Sequence, residues 1–146
     1  MKIERSVRDW MTPNPITASR ETTLPEAYKL MTEHQIRRLP IMDDGRLVGI
    51  VTRGDVRGAQ ASEATSLSVW ELNYLLSKLV LSELMTEKVI SVAPDTTIRE
   101  AAQTMLDNKI AGLPVLEQGE LVGIITESDI FRMLVENWDP QEASDG

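Results

Sequence analysis

Apolar residues recur at helical spacing twice in this chain, 74 positions apart. Leu24, Ala27, Tyr28 and Met31 follow i, i+3, i+4, i+7, and Ile98, Ala101, Ala102 and Met105 repeat the pattern. That spacing predicts an amphipathic helix in each place. Both helices open on a hydroxyl followed three residues later by a carboxylate, Thr23 with Glu26 and Thr97 with Glu100, which is the capping-box signature. Pro25 adds a fixed φ suited to a first turn. A short β-prone piece precedes each helix, at 15–18 and 89–92. A hairpin follows each: 39–42, a turn at Asp43-Asp44-Gly45, then 47–51; and 113–116, a turn at Gln118-Gly119, then 121–125. The return strands, LVGIV and LVGII, are apolar throughout, which predicts cover on both faces. A glycine inside each, Gly49 and Gly123, predicts close approach by other backbone or a ligand. A second helix is expected from near Asp55 and near Asp129.

The two patterns align without a gap. Over positions 11–56, 18 of 46 pairs are identical to the residue 74 positions on. Each repeat reads β-α-β-β-α, at 6–58 and 81–136. A unit that small holds little core alone. The expected fold is therefore α+β, with two repeats packed about a pseudo-twofold axis. Met11 and Met85 precede the first strand of each repeat and are placed to line the contact between repeats.

Residues 59–80 join the repeats. The stretch GAQASEATS, 58–66, is small and polar and predicts a loop. A helix follows, with Ser68 and Glu71 as a capping box and Leu72, Leu75, Leu76, Leu79 and Val80 as its apolar stripe. Trp70 and Tyr74 enlarge that apolar surface. The helix either packs on its own domain or shares in a dimer interface. The tail, 137–146, is acidic and polar and predicts disorder.

Composition narrows the functions. The 146 residues carry a net charge of −8, which disfavours nucleic acid as a partner. There is no cysteine, so disulfides and thiolate chemistry are excluded. The single histidine, His34, cannot build a histidine-based metal site and reads as a surface residue. No serine has a plausible base nearby, so no catalytic constellation and no metal site is expected. The first residues lack the apolar core of a signal peptide, and no apolar run reaches the roughly 18–20 residues a membrane helix needs. The expectation is a soluble, cytoplasmic protein.

The order Met-Thr, Ile-Thr, helix, Leu-Pro-Ile, Asp-Gly, Leu-Val-Gly-Ile-Val-Thr-x-x-Asp, written twice, resembles a tandem pair of cystathionine β-synthase (CBS) domains, a Bateman module. The resemblance covers about residues 6–134 and is that of a stand-alone pair. It implies a sensor, with adenine-containing ligands in two clefts between the repeats. AMP, ADP or ATP are most expected, and S-adenosylmethionine and NAD-type compounds belong to the same class. It implies a flat homodimer that signals to an unknown regulated protein. The competing class is a ligand-free module that acts through its interaction faces.

The resemblance assigns the ligand contacts as follows. In Thr52-Arg53-Gly54-Asp55 and Thr126-Glu127-Ser128-Asp129, the Asp accepts from both ribose hydroxyls and the Thr lies by the sugar and phosphate. A carboxylate has the acceptor capacity for a vicinal diol, and a helix N-terminus suits phosphate. The same four residues are also an ordinary helix cap. Gly54 and Ser128 are small where bulk would crowd a nucleotide. Arg37 and Arg38 are the phosphate contacts, or else helix-end cations that suit the dipole. Ala111 and Gly112 stand in their place in repeat 2. The two clefts are therefore unequal: the first prefers phosphorylated ligands, and the second is weak, empty or specific for a less anionic molecule. Ile16-Thr17 and Ile90-Ser91, with Thr12 and Thr86 before them, supply the adenine pockets. Each cleft is composite, pairing Asp55 with Thr86 and Ile90, and Asp129 with Thr12 and Ile16.

Overall fold

The computed structural model describes residues 5–63 and 68–139. The chain forms two compact units, and they do not coincide with the two repeats. One unit comprises residues 16–89; the other joins residues 1–15 to 90–146. Each repeat therefore lends its opening segment to the other repeat's sheet.

In the unit 16–89, strand β2 (Ala18–Ser19) pairs parallel with β3 (Arg38–Asp43), which pairs antiparallel with β4 (Arg46–Thr52). Thr86, from the second repeat, bridges Ile50 on the far edge of β4. The β3–β4 turn has positive φ at Asp44 and Gly45, 51° and 76°, the mirror-image turn whose twist matches a hairpin. Helix α2 (Leu24–Glu33) starts where the Thr23 hydroxyl accepts from the Glu26 N–H at 3.3 Å. Its Leu24, Ala27 and Met31 bury against Leu39, Ile41 and Val51. Tyr28, expected on that face, is 46% exposed. Its i+4 position lies at the rim of the stripe, where a ring with a hydroxyl is readily accommodated.

The other unit repeats this plan. Strand β1 (Thr12–Pro13), from the first repeat, pairs antiparallel with β6 (Glu120–Thr126), and β6 with β5 (Gly112–Glu117). Val92 bridges Val115 as Ala18 bridges Ile41. The expected opening strands at 15–18 and 89–92 are thus shorter and later than their composition indicates. Helix α5 (Ile98–Asn108) carries a complete capping box between Thr97 and Glu100. Its Ile98, Ala101 and Met105 close on Leu113, Val115 and Ile125, together with Val7 of α1 (Val7–Trp10) and Met133 of α6 (Glu127–Glu136).

The return strands bury one face, Gly49 and Val51 in β4 and Gly123 and Ile125 in β6, and leave the other half-buried. The close approach predicted at the glycines is made by methionine. A Cβ on Gly49 would lie 2.5 Å from Met85 Sδ, and one on Gly123 would lie 2.5 Å from Met11 Sδ. Met11 and Met85 are contacts between repeats, made inside each unit.

The connecting and terminal segments depart from expectation at two places, residues 58–63 and Asn137. Residues 58–63 are not a loop but continue α3 (Arg53–Glu63); alanine, glutamine and glutamate are strong helix formers, and small size is no obstacle to a helix. Residues 64–67, the rest of that expected loop, lie outside the described residues. Helix α4 (Val69–Lys78) begins as expected, with Ser68 Oγ accepting from the Glu71 N–H. Leu76 and the following Leu79 pack on the core, but no residue of α4 is buried, and Trp70 and Tyr74 are exposed. At the tail, Asn137 is ordered: it caps α6 by donating its backbone N–H and its side-chain amide to the Met133 carbonyl. The remainder, 140–146, lies outside the described residues.

Candidate functional site

The two Thr-x-x-Asp segments sit where a return strand ends and a helix begins, β4 to α3 and β6 to α6. At the first, Asp55 Oδ2 accepts from the Thr52 N–H at 2.8 Å, and Thr52 Oγ1 accepts from the Asp55 N–H at 3.1 Å. This reciprocal pair is the capping arrangement anticipated for the motif. It occupies one carboxylate oxygen. Among the described residues Asp55 Oδ1 accepts no hydrogen bond, so an oriented acceptor remains beside the cap.

The strand register brings the predicted phosphate-binding arginine to this motif. Arg38 opens β3 directly opposite Thr52, and the Arg37 carbonyl accepts from the Arg53 N–H at 2.8 Å. Arg53 and Arg57 on α3 add two more cations near Asp55 in sequence. Thr86 pairs with Ile50, two residues before Thr52. Gly54 is exposed, with only Thr52 Oγ1 near the position of a Cβ. Thus Arg37, Arg38, Thr52, Gly54, Asp55 and Thr86 share one unit.

The second motif has a different environment. Asp129 Oδ2 accepts from the Thr126 N–H at 2.9 Å and from the Thr126 hydroxyl at 3.3 Å. Its Oδ1 is engaged as well, accepting from Arg132 Nη2 at 3.3 Å. Gly112 lies opposite Thr126, and the Ala111 carbonyl accepts from the Glu127 N–H, as the parallel with repeat 1 requires. Ser128 is exposed. Thr12 on β1 faces Ile124, two residues before Thr126.

The remaining predicted residues are distributed differently. Ile16 packs half-buried on the core of the unit that holds Asp55, and Ile90 on the core of the unit that holds Asp129. Thr17 and Ser91 beside them are exposed. So Thr12 joins the unit of Asp129 and Thr86 that of Asp55, whereas Ile16 and Ile90 each belong to the other unit.

Sequence reasoning missed Arg132 and Trp10. Arg132 stands three residues after Asp129, within hydrogen-bonding reach on a helix. The place 74 residues earlier is Gly58, so comparing the repeats at this position would have exposed the asymmetry. Among the described residues no group of three or more His, Cys, Asp or Glu could hold a metal ion, and no helix is long and apolar enough to cross a membrane.

The CBS domain family model matches this chain twice, at residues 7–62 and 81–136. The chain belongs to the CBS domain family. A CBS domain-containing protein of Dictyostelium discoideum is 32% identical, the match covering 92% of this chain and 94% of that one. An inosine-5′-monophosphate dehydrogenase of Korarchaeum cryptofilum is 39% identical over 80% of this chain, but the match spans only 21% of the dehydrogenase. The CBS pair is thus about a fifth of that enzyme's length. Solved structures share the fold, including two with adenosyl compounds bound. The CBS domain pair of protein MJ0100, solved with 5′-methylthioadenosine and S-adenosyl-L-methionine, has a TM-score of 0.77 at 33% identity, covering 90% of this chain and 96% of that one. CBSX2 in complex with AMP has a TM-score of 0.75 at 29% identity, covering 90% and 97%; the CBSX2 relative is from Arabidopsis thaliana.

Proposed function

We propose that this CBS pair is a regulatory sensor for adenosyl ligands, with no catalysis of its own. One ligand site lies at Thr52–Asp55 and the other at Thr126–Asp129. The observation that carries the reading is the state of Asp55. Its Oδ2 is anchored by the Thr52 N–H, and its Oδ1 accepts nothing among the described residues. The cap holds the carboxylate in place and leaves its outer oxygen for a ribose diol. The adenosyl compounds held by the MJ0100 pair and by CBSX2 all carry that diol, which supports the same ligand class here.

Charge distinguishes the two sites. Arg37, Arg38, Arg53 and Arg57 accompany Asp55, so that site takes phosphorylated ligands, AMP, ADP or ATP. Ligand binding signals by favouring one of two arrangements of the protein. A second copy of the chain is the nearest partner. Trp70 and Tyr74 of α4 and Phe131 and Val135 of α6 are exposed apolar residues that a homodimer would cover. The regulated protein beyond it is of unknown identity.

The test is a thermal-shift series with AMP, ADP, ATP, S-adenosylmethionine and NAD. A ligand that binds only the folded state raises the melting temperature with dose. A dose-dependent rise that Asp55→Ala reduces is the expected result, the remainder belonging to the site at Thr126–Asp129. No rise with any of the five would leave the exposed helix faces as the functional surfaces and make the chain a ligand-free interaction module.

A further inference from the structure

Asp129 differs from Asp55 in one respect that the repeat does not impose. Its second carboxylate oxygen is already bound by a guanidinium. Arg132 Nη2 lies 3.3 Å from Asp129 Oδ1 and 3.4 Å from the Trp10 carbonyl. The guanidinium carbon sits 4.9 Å from the centre of the Trp10 ring, a cation–π distance. Three groups therefore hold Arg132: a carboxylate, a backbone carbonyl and an indole face. The carboxylate is sheltered, its side chain 12% exposed, while the Arg132 side chain is 50% exposed. A guanidinium has five N–H donors, and only those on Nη2 are engaged in the hydrogen bonds to Asp129 and Trp10. The outward part of the cation remains open to a ligand.

We propose that Arg132 is the specificity-determining residue of the repeat 2 site: it holds Asp129 Oδ1 against a neutral nucleoside and releases it to a nucleoside bearing an anionic group. A ribose diol needs both acceptor capacity and room at Asp129. A neutral nucleoside must break the Arg132–Asp129 contact with nothing to offer the displaced cation. A nucleotide offers phosphate oxygens, to which guanidinium binds in a fork. Arg132 thus supplies, from α6 (Glu127–Glu136), the cation that Ala111 and Gly112 do not. The position equivalent to Arg132 in repeat 1 is Gly58, which has no side chain, so this control belongs to one site alone. The inference rests on the reading of Thr126–Asp129 as a ribose site.

The experiment is calorimetric titration of the Asp55→Ala chain with adenosine and with AMP, so that heat reports the repeat 2 site. The same titrations follow with Arg132→Ala and with Arg132→Gln, whose shorter side chain keeps an N–H donor group but not the charge. The expected result is that AMP binds the parent at least tenfold more tightly than adenosine. Each Arg132 variant should lower that preference about tenfold, the scale of one hydrogen bond to a charged group, with adenosine binding as tightly as before or more so. Equal loss for both ligands, or no change in either, overturns the role of Arg132. Adding Asp129→Ala separates the two levels. Binding that persists without Asp129, or no binding by the parent at all, overturns the ribose site itself and Arg132's role with it. Binding that needs Asp129 while the AMP preference ignores Arg132 overturns only the latter.

Discussion

Met85 lies on Gly49. Its Sδ, Cγ and Cβ fall 2.5, 2.9 and 3.1 Å from where a Cβ on that glycine would stand. Because even the Met85 Cβ is near, the side chain cannot simply swing aside. Gly49→Ala is expected to destabilise the chain by about 1–3 kcal/mol, the range for overpacking a filled site. Denaturant titration measures this, and Met85→Ala in the same chain should recover part of the loss, since the two positions are in contact. Gly123→Ala should cost at least as much, because the Thr12 carbonyl lies 3.0 Å from the added methyl and backbone yields less readily than sulfur.

Asp55→Asn separates capping from ligand binding. The amide oxygen can still accept from the Thr52 N–H, and its NH2 then faces outward where a carboxylate oxygen stood. Stability should fall by less than about 1 kcal/mol, the scale of a lost charge at a helix N-terminus. Affinity for AMP should fall at least about tenfold, because an acceptor of two hydroxyls has become a donor. Parallel denaturation and calorimetry decide it; equal affinity in the variant would remove Asp55 from the ligand.

Phe131→Glu tests the proposed homodimer. Phe131 is 60% exposed and lines an apolar recess with Leu134, Val135 and Trp138. A charge there should leave the fold intact and convert a dimer to monomer in light scattering. A wild-type chain that is monomeric at all concentrations would contradict the pairing.

Lys109→Gly should stabilise the protein. Lys109 closes α5 (Ile98–Asn108) in the left-handed conformation, φ 54° and ψ 44°, which costs a residue with a Cβ roughly 1–2 kcal/mol. Part of that is offset by glycine's freedom in the unfolded chain, leaving a gain of about 0.5 kcal/mol, readable as a small rise in melting temperature.

The helices, hairpins and Thr-x-x-Asp turns were legible because each is written in local sequence: a periodic stripe, a glycine at a turn, a hydroxyl three residues from a carboxylate. Helix α3 (Arg53–Glu63) runs past the expected start of a loop because Ala59, Gln60, Ala61 and Glu63 favour helix strongly enough to carry Gly58 and Ser62 with them; a small, polar composition does not by itself mark a loop. The strand pairing of Thr12 with Ile124, and the bridge from Thr86 to Ile50, join residues far apart in sequence, and no local pattern in Thr-Pro or Thr-Glu marks them as sheet edges. The site was read from its repeated features, and that is where it fell short. Arg132 and Trp10 escaped because they are what the second copy does not share with the first.

Cutting this gene between its two repeats would not yield two domains. Each half would carry a hairpin whose outer edge lacks its partner, together with a short segment, around Thr12 or Thr86, whose place is on the other half. Unpaired edges of that kind seek strands, and the matching strand sits on the companion fragment. The halves are complementary pieces, and their separate expression would report on reassembly when mixed rather than on the autonomy of a single repeat.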